Sequence, residues 1–264
     1  MGKLFAVVVA VITVVSTALF VTHTWWLPVD ISAHGHAIDH QLSETMTASG
    51  VLFVLSQLAL AAFVWRSGDR RTVKTFPGGA TPMVVIASVL VGAEILTLTF
   101  VGSKVWAGIY QSAPDPNALR IDVQAEQFAF YFRYAGADGK FGGTHPDLID
   151  DASGNFFGLD PANDTTARDD IVSATLALPI GRQVLLSMHA KDVNHSFYVP
   201  ELRIQQDFVP GLVIPLHFTA TDTGKHEIVC TQLCGLGHYN MRAYVEVMSE
   251  QQFDQWLKEN AAQQ

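Results

Sequence analysis

Hydrophobic and polar positions divide the chain into two parts with different patterns. Three long apolar runs come first, at residues 4–22, 46–65 and 82–103, and only the third contains a charged residue, Glu94. At ~1.5 Å of rise per residue, a helix of about 20 residues crosses the hydrocarbon core of a bilayer. The pattern therefore predicts three transmembrane helices. For the first run the alternative is a cleaved signal peptide led by Lys3, but the run is longer than usual and no clean cleavage motif follows.

Basic residues near the apolar runs set the expected orientation. The loop before the second run contains no lysine or arginine, whereas a basic group comes directly after that run: Arg66, Arg70, Arg71 and Lys74. Loops rich in lysine and arginine stay on the cytoplasmic side of a membrane. Everything from about Gln111 onward is therefore predicted to lie outside the cytoplasm.

After Pro114 the long apolar runs give way to short strands separated by Pro, Gly and Asp turns, a pattern typical of an all-β sandwich or barrel. Residues 135–170 are rich in Gly, Asp, Pro and Asn and read as a long surface loop. Ser249 with Gln252 three residues later forms a capping box that predicts a short C-terminal helix. The expected strands are 120–126, 128–134, 171–178, 183–189, 212–219, 225–230 and 242–248.

Three segments follow from these patterns. Residues 1–22 are an extra N-terminal transmembrane helix or signal anchor, and residues 23–112 a transmembrane hairpin with an outer N-terminal loop and a cytoplasmic basic loop. Residues 113–264 form an extracytoplasmic β-domain. The predicted architecture is thus a membrane-anchored all-β protein.

Charge is distributed unevenly over these segments. The net charge is −9, and residues 113–264 contain 10 basic and 20 acidic residues, a balance of −10. An acidic soluble part argues against nucleic-acid binding, which needs Lys and Arg to displace counterions. A basic protein partner fits it better.

The most informative segment lies between Cys230 and Met241 and reads CTQLCGLGHYNM. Two cysteines, one histidine and one methionine within twelve residues form a soft ligand set, which favours copper over magnesium, calcium or manganese. The alternatives are a helix that stacks Cys230, Cys234 and His238, a disulfide, and a structural zinc site. Glycines weaken the helix interpretation, and zinc has no need of a thioether.

The number of cysteines bears on the kind of copper site. A mononuclear blue-copper site uses one Cys, two His and a weak axial Met, and here there is one cysteine too many. Two bridging thiolates can hold two copper ions. The second histidine must then come from elsewhere in the β-domain, and His195, in the sequence DVNHS, is the best upstream candidate.

In this combination of motifs the chain resembles subunit II of the haem-copper cytochrome c oxidases. The resemblance rests on the CTQLCGLGHYNM loop, with support from DVNHS, GLDP, QFAFYFRY, GHAIDHQ and Asp207 with Pro210-Gly211. It implies a cupredoxin-like β-sandwich with a dinuclear copper centre, CuA, that accepts electrons from cytochrome c and passes them to haem in subunit I. That complex reduces O2 to water and translocates protons. The copper ligands it implies are His195, Cys230, Gln232 (through its carbonyl), Cys234, His238 and Met241.

The sequence departs from the family pattern at three places. Gln232 stands where many members have Glu, so the carboxylate that the family offers to a magnesium ion at the subunit I boundary is missing. Phe128 and Phe130 stand where members usually have Trp, the first of which is implicated in electron uptake. Glu94 is the only ionisable group in its apolar run and a candidate for a proton path, but it lies about ten residues beyond the family's glutamate position.

The implied partners are subunit I, with subunit III, a c-type cytochrome as electron donor, and the membrane. The implied location is an energy-transducing, bacterial inner membrane with the β-domain on the periplasmic side. This chain alone does not reduce oxygen. The alternatives are the CuA subunit of a nitric oxide reductase of the same superfamily, and a membrane-anchored copper-binding or delivery protein.

Overall fold

The computed structural model describes residues 1–22, 27–67 and 80–261. Three helices contain the apolar runs, and each is long and apolar enough to cross a membrane: α1 (Gly2–Val21), α2 (Gly35–Ser67) and α3 (Thr81–Tyr110). In a bilayer every backbone polar group needs an internal partner, so an apolar run of this length forms a helix. The prediction of three membrane-capable helices is confirmed. Arg70, Arg71 and Lys74 lie outside the described residues.

Short strands and a final helix make up the rest of the described chain. The strands are β1 (Leu119–Glu126), β2 (Ala129–Tyr134), β3 (Ile171–Ser173), β4 (Thr175–Pro179), β5 (Gln183–Ala190), β6 (His195–Val199), β7 (Ile204–Phe208), β8 (Ile214–Thr219), β9 (Gly224–Val229) and β10 (Arg242–Met248), and the helix is α4 (Glu250–Ala261). The strands form two five-stranded sheets, in the orders β3-β2-β1-β5-β8 and β4-β10-β9-β6-β7. The expected all-β, cupredoxin-like domain is confirmed.

One apolar core joins the two sheets. Ile121 and Leu186 enter it from the first sheet, and Phe197 and Val245 from the second, all of them buried. Alternate residues of a strand point to opposite faces, and in β1 this alternation buries Ile121, Val123 and Ala125 on one side. The same core contains Cys230, Cys234 and Met241, so the sandwich supports the loop of residues 230–241.

Two details of the predicted strands are wrong. Residues 171–178 form two strands, because the chain bends at exposed Ala174, where it leaves β3 in one sheet and begins β4 in the other. Strands β6 and β7 were not expected. In β6 the consecutive residues His195, Ser196 and Phe197 are all buried, so the strand lacks the alternation by which strands are recognised.

The long loop of residues 135–170 is attached to the β-domain at several points. Phe157 is buried, and the ring of Phe156 stacks on Tyr131 with centroids 3.5 Å apart. Buried Arg133 on β2 donates to the carboxylate of Asp170 at the end of the loop. The loop is therefore a folded insertion that covers part of the first sheet.

Residues 28–36, which we call the N-terminal strap, belong to the compact unit that also contains residues 107–264, whereas residues 1–27 and 37–106 form the other unit. Ile31 is buried, and its N–H donates to the Glu201 carbonyl at 3.0 Å. Ala33 N–H donates to the Thr219 carbonyl at 3.0 Å. The strap thus packs on the β-domain ahead of α2.

His34 should make the stability of the strap depend on pH. Burial lowers the pKa of His34 from 6.5 and outweighs the raising effects of Asp30 and the Leu202 carbonyl, and His217 lowers it further. With this lower pKa, the folded chain binds fewer protons at His34 than the unfolded chain does. The stability that the neutral, buried His34 contributes is therefore complete above about pH 6.5 and is lost as the pH falls. Chemical unfolding of the full chain should show a smaller loss of stability between about pH 8 and pH 5.5 in His34→Gln than in the wild type. Equal losses in both chains would contradict this assignment.

The predicted capping box begins α4. Ser249 N–H donates to Gln252 Oε1 at 3.1 Å, and Gln252 N–H donates to Ser249 Oγ at 3.3 Å. Phe253 is buried, and Trp256 meets the Tyr134 ring edge-on with centroids 5.0 Å apart. The expected C-terminal helix is confirmed and packs on the β-domain.

Candidate metal centre

Two neighbouring strands place the candidate ligands at one end of the second sheet. Strands β6 and β9 run antiparallel with Tyr198 opposite Val229, so the start of β6, at His195, lies beside the end of β9. The loop of residues 230–241, which we call the metal loop, leaves from this same end and returns at Met241 to start β10. Cys230 N–H donates to the Met241 carbonyl at 3.1 Å, which closes the loop at its base.

The loop brings the cysteines together with the other predicted ligands. The metal-binding atoms of His195, Cys230 and Cys234 all lie within 4.8 Å of one another. The two sulfurs are 3.9 Å apart, and the Gln232 carbonyl oxygen lies 3.2 Å from Cys230 Sγ.

The remaining two candidates lie beside the second cysteine. Cys234 Sγ is 3.6 Å from His238 Nδ1 and 3.7 Å from Met241 Sδ. Residues 230–237 are not helical, and a 3-10 turn at His238–Asn240 follows them. All six residues predicted to bind copper thus meet in one place.

Four of the six residues are buried away from water, whereas Gln232 and His238 are half-buried. His195 is fully buried, and Cys230, Cys234 and Met241 are 7%, 4% and 2% exposed. His195 Nε2 lies 2.7 Å from Asp192 Oδ1, whereas its buried Nδ1 has no hydrogen-bond partner among the described residues. A buried imidazole nitrogen without a partner, on a ring that lies beside two thiols, is suited to a metal ion.

Electrostatics set the two thiols apart. Burial alone would raise the pKa of Cys230, but the neighbouring His195 imidazole and hydrogen bonds from the backbone at Ser196 and Gln232 outweigh it, so this pKa is lowered. Burial, and then the neighbouring Cys230 thiolate, raise the pKa of Cys234. The thiolate is the form that binds metal, and a cation between the sulfurs would relieve their repulsion. The donor set therefore fits a soft, multiply charged metal centre.

The turn between β1 and β2 covers the metal loop. The Phe128 ring packs so closely on Gly237 that an added Cβ there would lie 2.5 Å from it. Gly235, at φ +141°, is also in contact with this ring. Gln127 Nε2 donates to the Cys234 carbonyl at 2.5 Å. Gly235 is thus required by its backbone conformation, and both glycines by the close approach of Phe128.

The two phenylalanines differ in exposure. Phe128 is 39% exposed, whereas Phe130 is buried in the core, where its ring lies 5.8 Å from that of Phe208. Phe208 pairs with the ligand candidate His195 across β6 and β7. Phe128 is therefore the residue at the surface, and Phe130 is a core residue whose ring partner, Phe208, pairs with His195.

Sequence reasoning missed several residues around the cluster. Asp192 and Gln127 bond to ligand segments, and three side chains of the metal loop are largely exposed: Leu233, Leu236 and Tyr239. The position of Asp192, three residues before His195, was the available signal, because metal-binding histidines commonly donate to a carboxylate. The contacts of Gln127 cross 107 residues of sequence and left no such signal.

Glu94 lies on α3, in the other compact unit. Its Oε1 accepts a hydrogen bond from Ser49 Oγ on α2, and it lines a groove with His40, Glu44 and Thr47. His40 and Glu44 themselves lie 3.6 Å apart. Glu94 is thus in a partly polar setting within the helices.

The fold and the donor cluster define a protein with three membrane-capable helices and a β-domain that contains a cluster of candidate soft metal ligands. Residues 159–248 match the family described as cytochrome C oxidase subunit II, periplasmic domain. A relative from Bradyrhizobium diazoefficiens, named alternative cytochrome c oxidase subunit 2, is 31% identical over 240 residues, covering 89% of this chain and 83% of the relative. The cytochrome c oxidase subunit 2 of Thermostichus vulcanus is 39% identical over 152 residues, covering 58% of this chain and 44% of the relative. The chain belongs to the cytochrome c oxidase subunit II family.

Among solved structures, the periplasmic domain of subunit II of cytochrome oxidase from Bradyrhizobium japonicum covers 58% of this chain and 97% of its own, at 20% identity and a TM-score of 0.41. Membership of the family makes this chain subunit II of a haem-copper oxidase, a redox enzyme complex in which subunit I is its partner. The family also implies a copper-binding, CuA-type domain. The clustered thiols and the unpartnered His195 nitrogen fit that metal.

Proposed function

We propose that this chain is the electron-accepting subunit of a cytochrome c oxidase that reduces O2 to water and translocates protons. A c-type cytochrome is the donor, and haem in subunit I is the acceptor. The observation that carries the proposal is the buried cluster in which a ring nitrogen of His195 and the two cysteine sulfurs lie within 4.8 Å of one another. Two copper ions bound there would supply one-electron redox chemistry with the charge shared between both metals.

The residues of this cluster have distinct roles in the proposal. Cys230 and Cys234 would hold the copper ions through their thiolates, and His195 and His238 would contribute one imidazole each. Met241 and the Gln232 carbonyl are the weak donors. Because these groups are held by a closed loop on a rigid sheet, little rearrangement accompanies a change of charge.

Gln232 also bears on the magnesium site of the family. Its side-chain Nε2 donates to Asp207 Oδ2 at 3.2 Å. An amide suits this neighbour, whereas a glutamate would place two carboxylates side by side. We infer that the side chain of Gln232 is a hydrogen-bond donor to Asp207 and provides no magnesium ligand.

The surface around Phe128 is the proposed contact for the electron donor. Phe128 is partly exposed above the metal loop, and the three exposed side chains of that loop add apolar area beside it. The acidic β-domain suits a basic cytochrome, because opposite charges raise the rate of encounter. In steady-state kinetics, Phe128→Ala should accept electrons from the cytochrome more slowly than the wild type, while its copper content stays unchanged.

Glu94 is the proposed proton-path residue of the membrane helices. Ionisable residues within membrane spans are costly and commonly functional, and Ser49 orients this carboxylate. In the oxidase complex, Glu94→Gln should slow oxygen reduction in steady state while the copper spectrum stays unchanged. Unchanged turnover would contradict the assignment.

The proposed topology places the β-domain on the periplasmic side of a bacterial inner membrane. The support is the lack of lysine and arginine between α1 and α2, and the basic group at the end of α2 and directly after it: Arg66, Arg70, Arg71 and Lys74. The segments 1–22, 23–112 and 113–264 remain the proposed domains. Protease treatment of spheroplasts should remove the β-domain and leave the helices in the membrane.

The central test is the copper content and electron paramagnetic resonance spectrum of the full chain, purified in detergent and loaded with copper. We expect two coppers per chain and hyperfine splitting from two equivalent copper nuclei. One copper, with splitting from a single nucleus, would contradict the proposed centre and favour a copper-storage or delivery protein.

A further inference from the structure

The carboxylate of Asp192 connects a ligand of the metal centre with the turn that covers it. Its Oδ1 lies 2.7 Å from His195 Nε2 and accepts the Val193 N–H at 2.7 Å. Its Oδ2 accepts the Gln127 N–H at 2.8 Å. Both oxygens are therefore engaged, each with a different part of the site.

The bond from His195 to Asp192 decides which imidazole nitrogen faces the cysteines. A neutral imidazole has one N–H donor and one acceptor nitrogen. An ionised carboxylate only accepts, so the N–H must be at Nε2, and the lone pair remains on Nδ1. That nitrogen is buried without a hydrogen-bond partner among the described residues, and the ring of His195 places a nitrogen within 4.8 Å of the Cys230 and Cys234 sulfurs.

The bond from Gln127 extends the connection to the second cysteine. While its N–H donates to Asp192, its side-chain Nε2 donates to the Cys234 carbonyl. The next residue, Phe128, packs on Gly235 and Gly237 of the same loop. One turn is thus bonded both to the carboxylate behind His195 and to the backbone of Cys234.

We propose that Asp192 is a positioning residue of the copper centre. It holds His195 with Nδ1 toward the thiolates and, through Gln127, fixes the position of the metal loop relative to His195. This inference rests on the proposed function. The alternative is that Asp192 merely contributes negative charge to the surface. The two differ because only a positioning residue alters the metal centre itself.

The test compares Asp192→Ala and Asp192→Asn with Asp222→Asn in the copper-loaded full chain in detergent. Asp222, in an exposed turn, accepts only the Thr223 N–H among the hydrogen bonds described, so its variant is matched in charge. The amide of Asn cannot accept from both His195 and Gln127, so Asp192→Asn should be intermediate. Loss of an outer-shell partner typically weakens metal binding about 10- to 100-fold.

We expect Asp192→Ala to lose copper to a chelator at about 10- to 100-fold lower chelator concentration than the wild type, and Asp222→Asn to behave as the wild type. Fully loaded Asp192→Ala should also show altered copper hyperfine splitting, which a loss of surface charge would not produce. Thermal unfolding of the copper-free variant checks that the β-domain still folds.

Gln127→Leu provides a second measurement, because it removes the bond to Cys234 but retains the N–H that Asp192 accepts. We expect a smaller loss of copper retention, and a less than additive effect when it is combined with Asp192→Ala, since both act through one turn. Wild-type copper retention and spectrum in Asp192→Ala would overturn the inference. A wild-type chain with a single copper would contradict the proposed function. The ratio of copper retention between the wild type and Asp192→Ala would still decide the role of Asp192.

Discussion

Cys234→Ser is expected to abolish the two-copper centre while the β-domain remains folded. Cys234 Sγ lies within 4 Å of three other candidate donor atoms, those of Cys230, His238 and Met241. A serine hydroxyl stays protonated at neutral pH and is a poor ligand for soft metals. The single remaining thiolate, Cys230, cannot bridge two coppers in the same way. Copper per chain should fall to one or less, and splitting from two equivalent nuclei should disappear.

Thr231→Ser is the matched control for this substitution. Thr231 lies in the same loop and is exposed, and its hydroxyl, which accepts a hydrogen bond from Gln205 Nε2, is retained in serine. This variant should bind two coppers with an unchanged spectrum. If Cys234→Ser also kept the spectrum of two equivalent nuclei, the bridging role would belong to other residues.

The parts of this molecule that the sequence predicts are those fixed by local chemistry. The apolar runs become helices because a bilayer offers backbone groups no other partners. The ligand residues of the metal loop lie within twelve positions, so their proximity is largely a consequence of chain connectivity. The capping box of Ser249 and Gln252 is equally local, and it forms as expected.

The parts that the sequence does not predict depend on long-range contacts. Strand β6 contains the metal-ligand candidate His195 but lacks alternation, because its residues are buried on both faces. The hydrogen bond between the Gln127 N–H and the Asp192 carboxylate joins positions that are 65 residues apart. The packing of the strap on the β-domain likewise depends on partners near residues 201 and 219. Such contacts become visible only when the two sheets are assembled.

Arg133→Ala is expected to destabilise the β-domain by about 3–5 kcal/mol, the typical cost of removing one partner of a buried ion pair. The Arg133 side chain is 1% exposed and that of Asp170 is fully buried. Arg133 Nη2 also donates to the Gly142 carbonyl at 2.5 Å, and Nη1 lies 3.6 Å from Asp122. Its loss would leave the Asp170 carboxylate without its cationic partner and open a cavity beside Phe157. Thermal and urea unfolding of the full chain in detergent, followed by near-ultraviolet circular dichroism, would measure the change.

Two further variants separate the charge pair from the loss of volume. Arg242 pairs with Glu227 at 3.7 Å, and both side chains are more than half exposed, so Arg242→Ala should cost no more than about 1 kcal/mol. Removing both charges of the fully buried pair in Arg133→Met/Asp170→Asn should restore much of the stability lost in Arg133→Ala, because position 170 then holds no unpaired charge and the remaining partner, Asp122, is partly exposed. If Arg133→Ala cost as little as Arg242→Ala, the ion pair would not anchor the insertion. If the double variant were as unstable as Arg133→Ala, packing rather than charge would account for the loss.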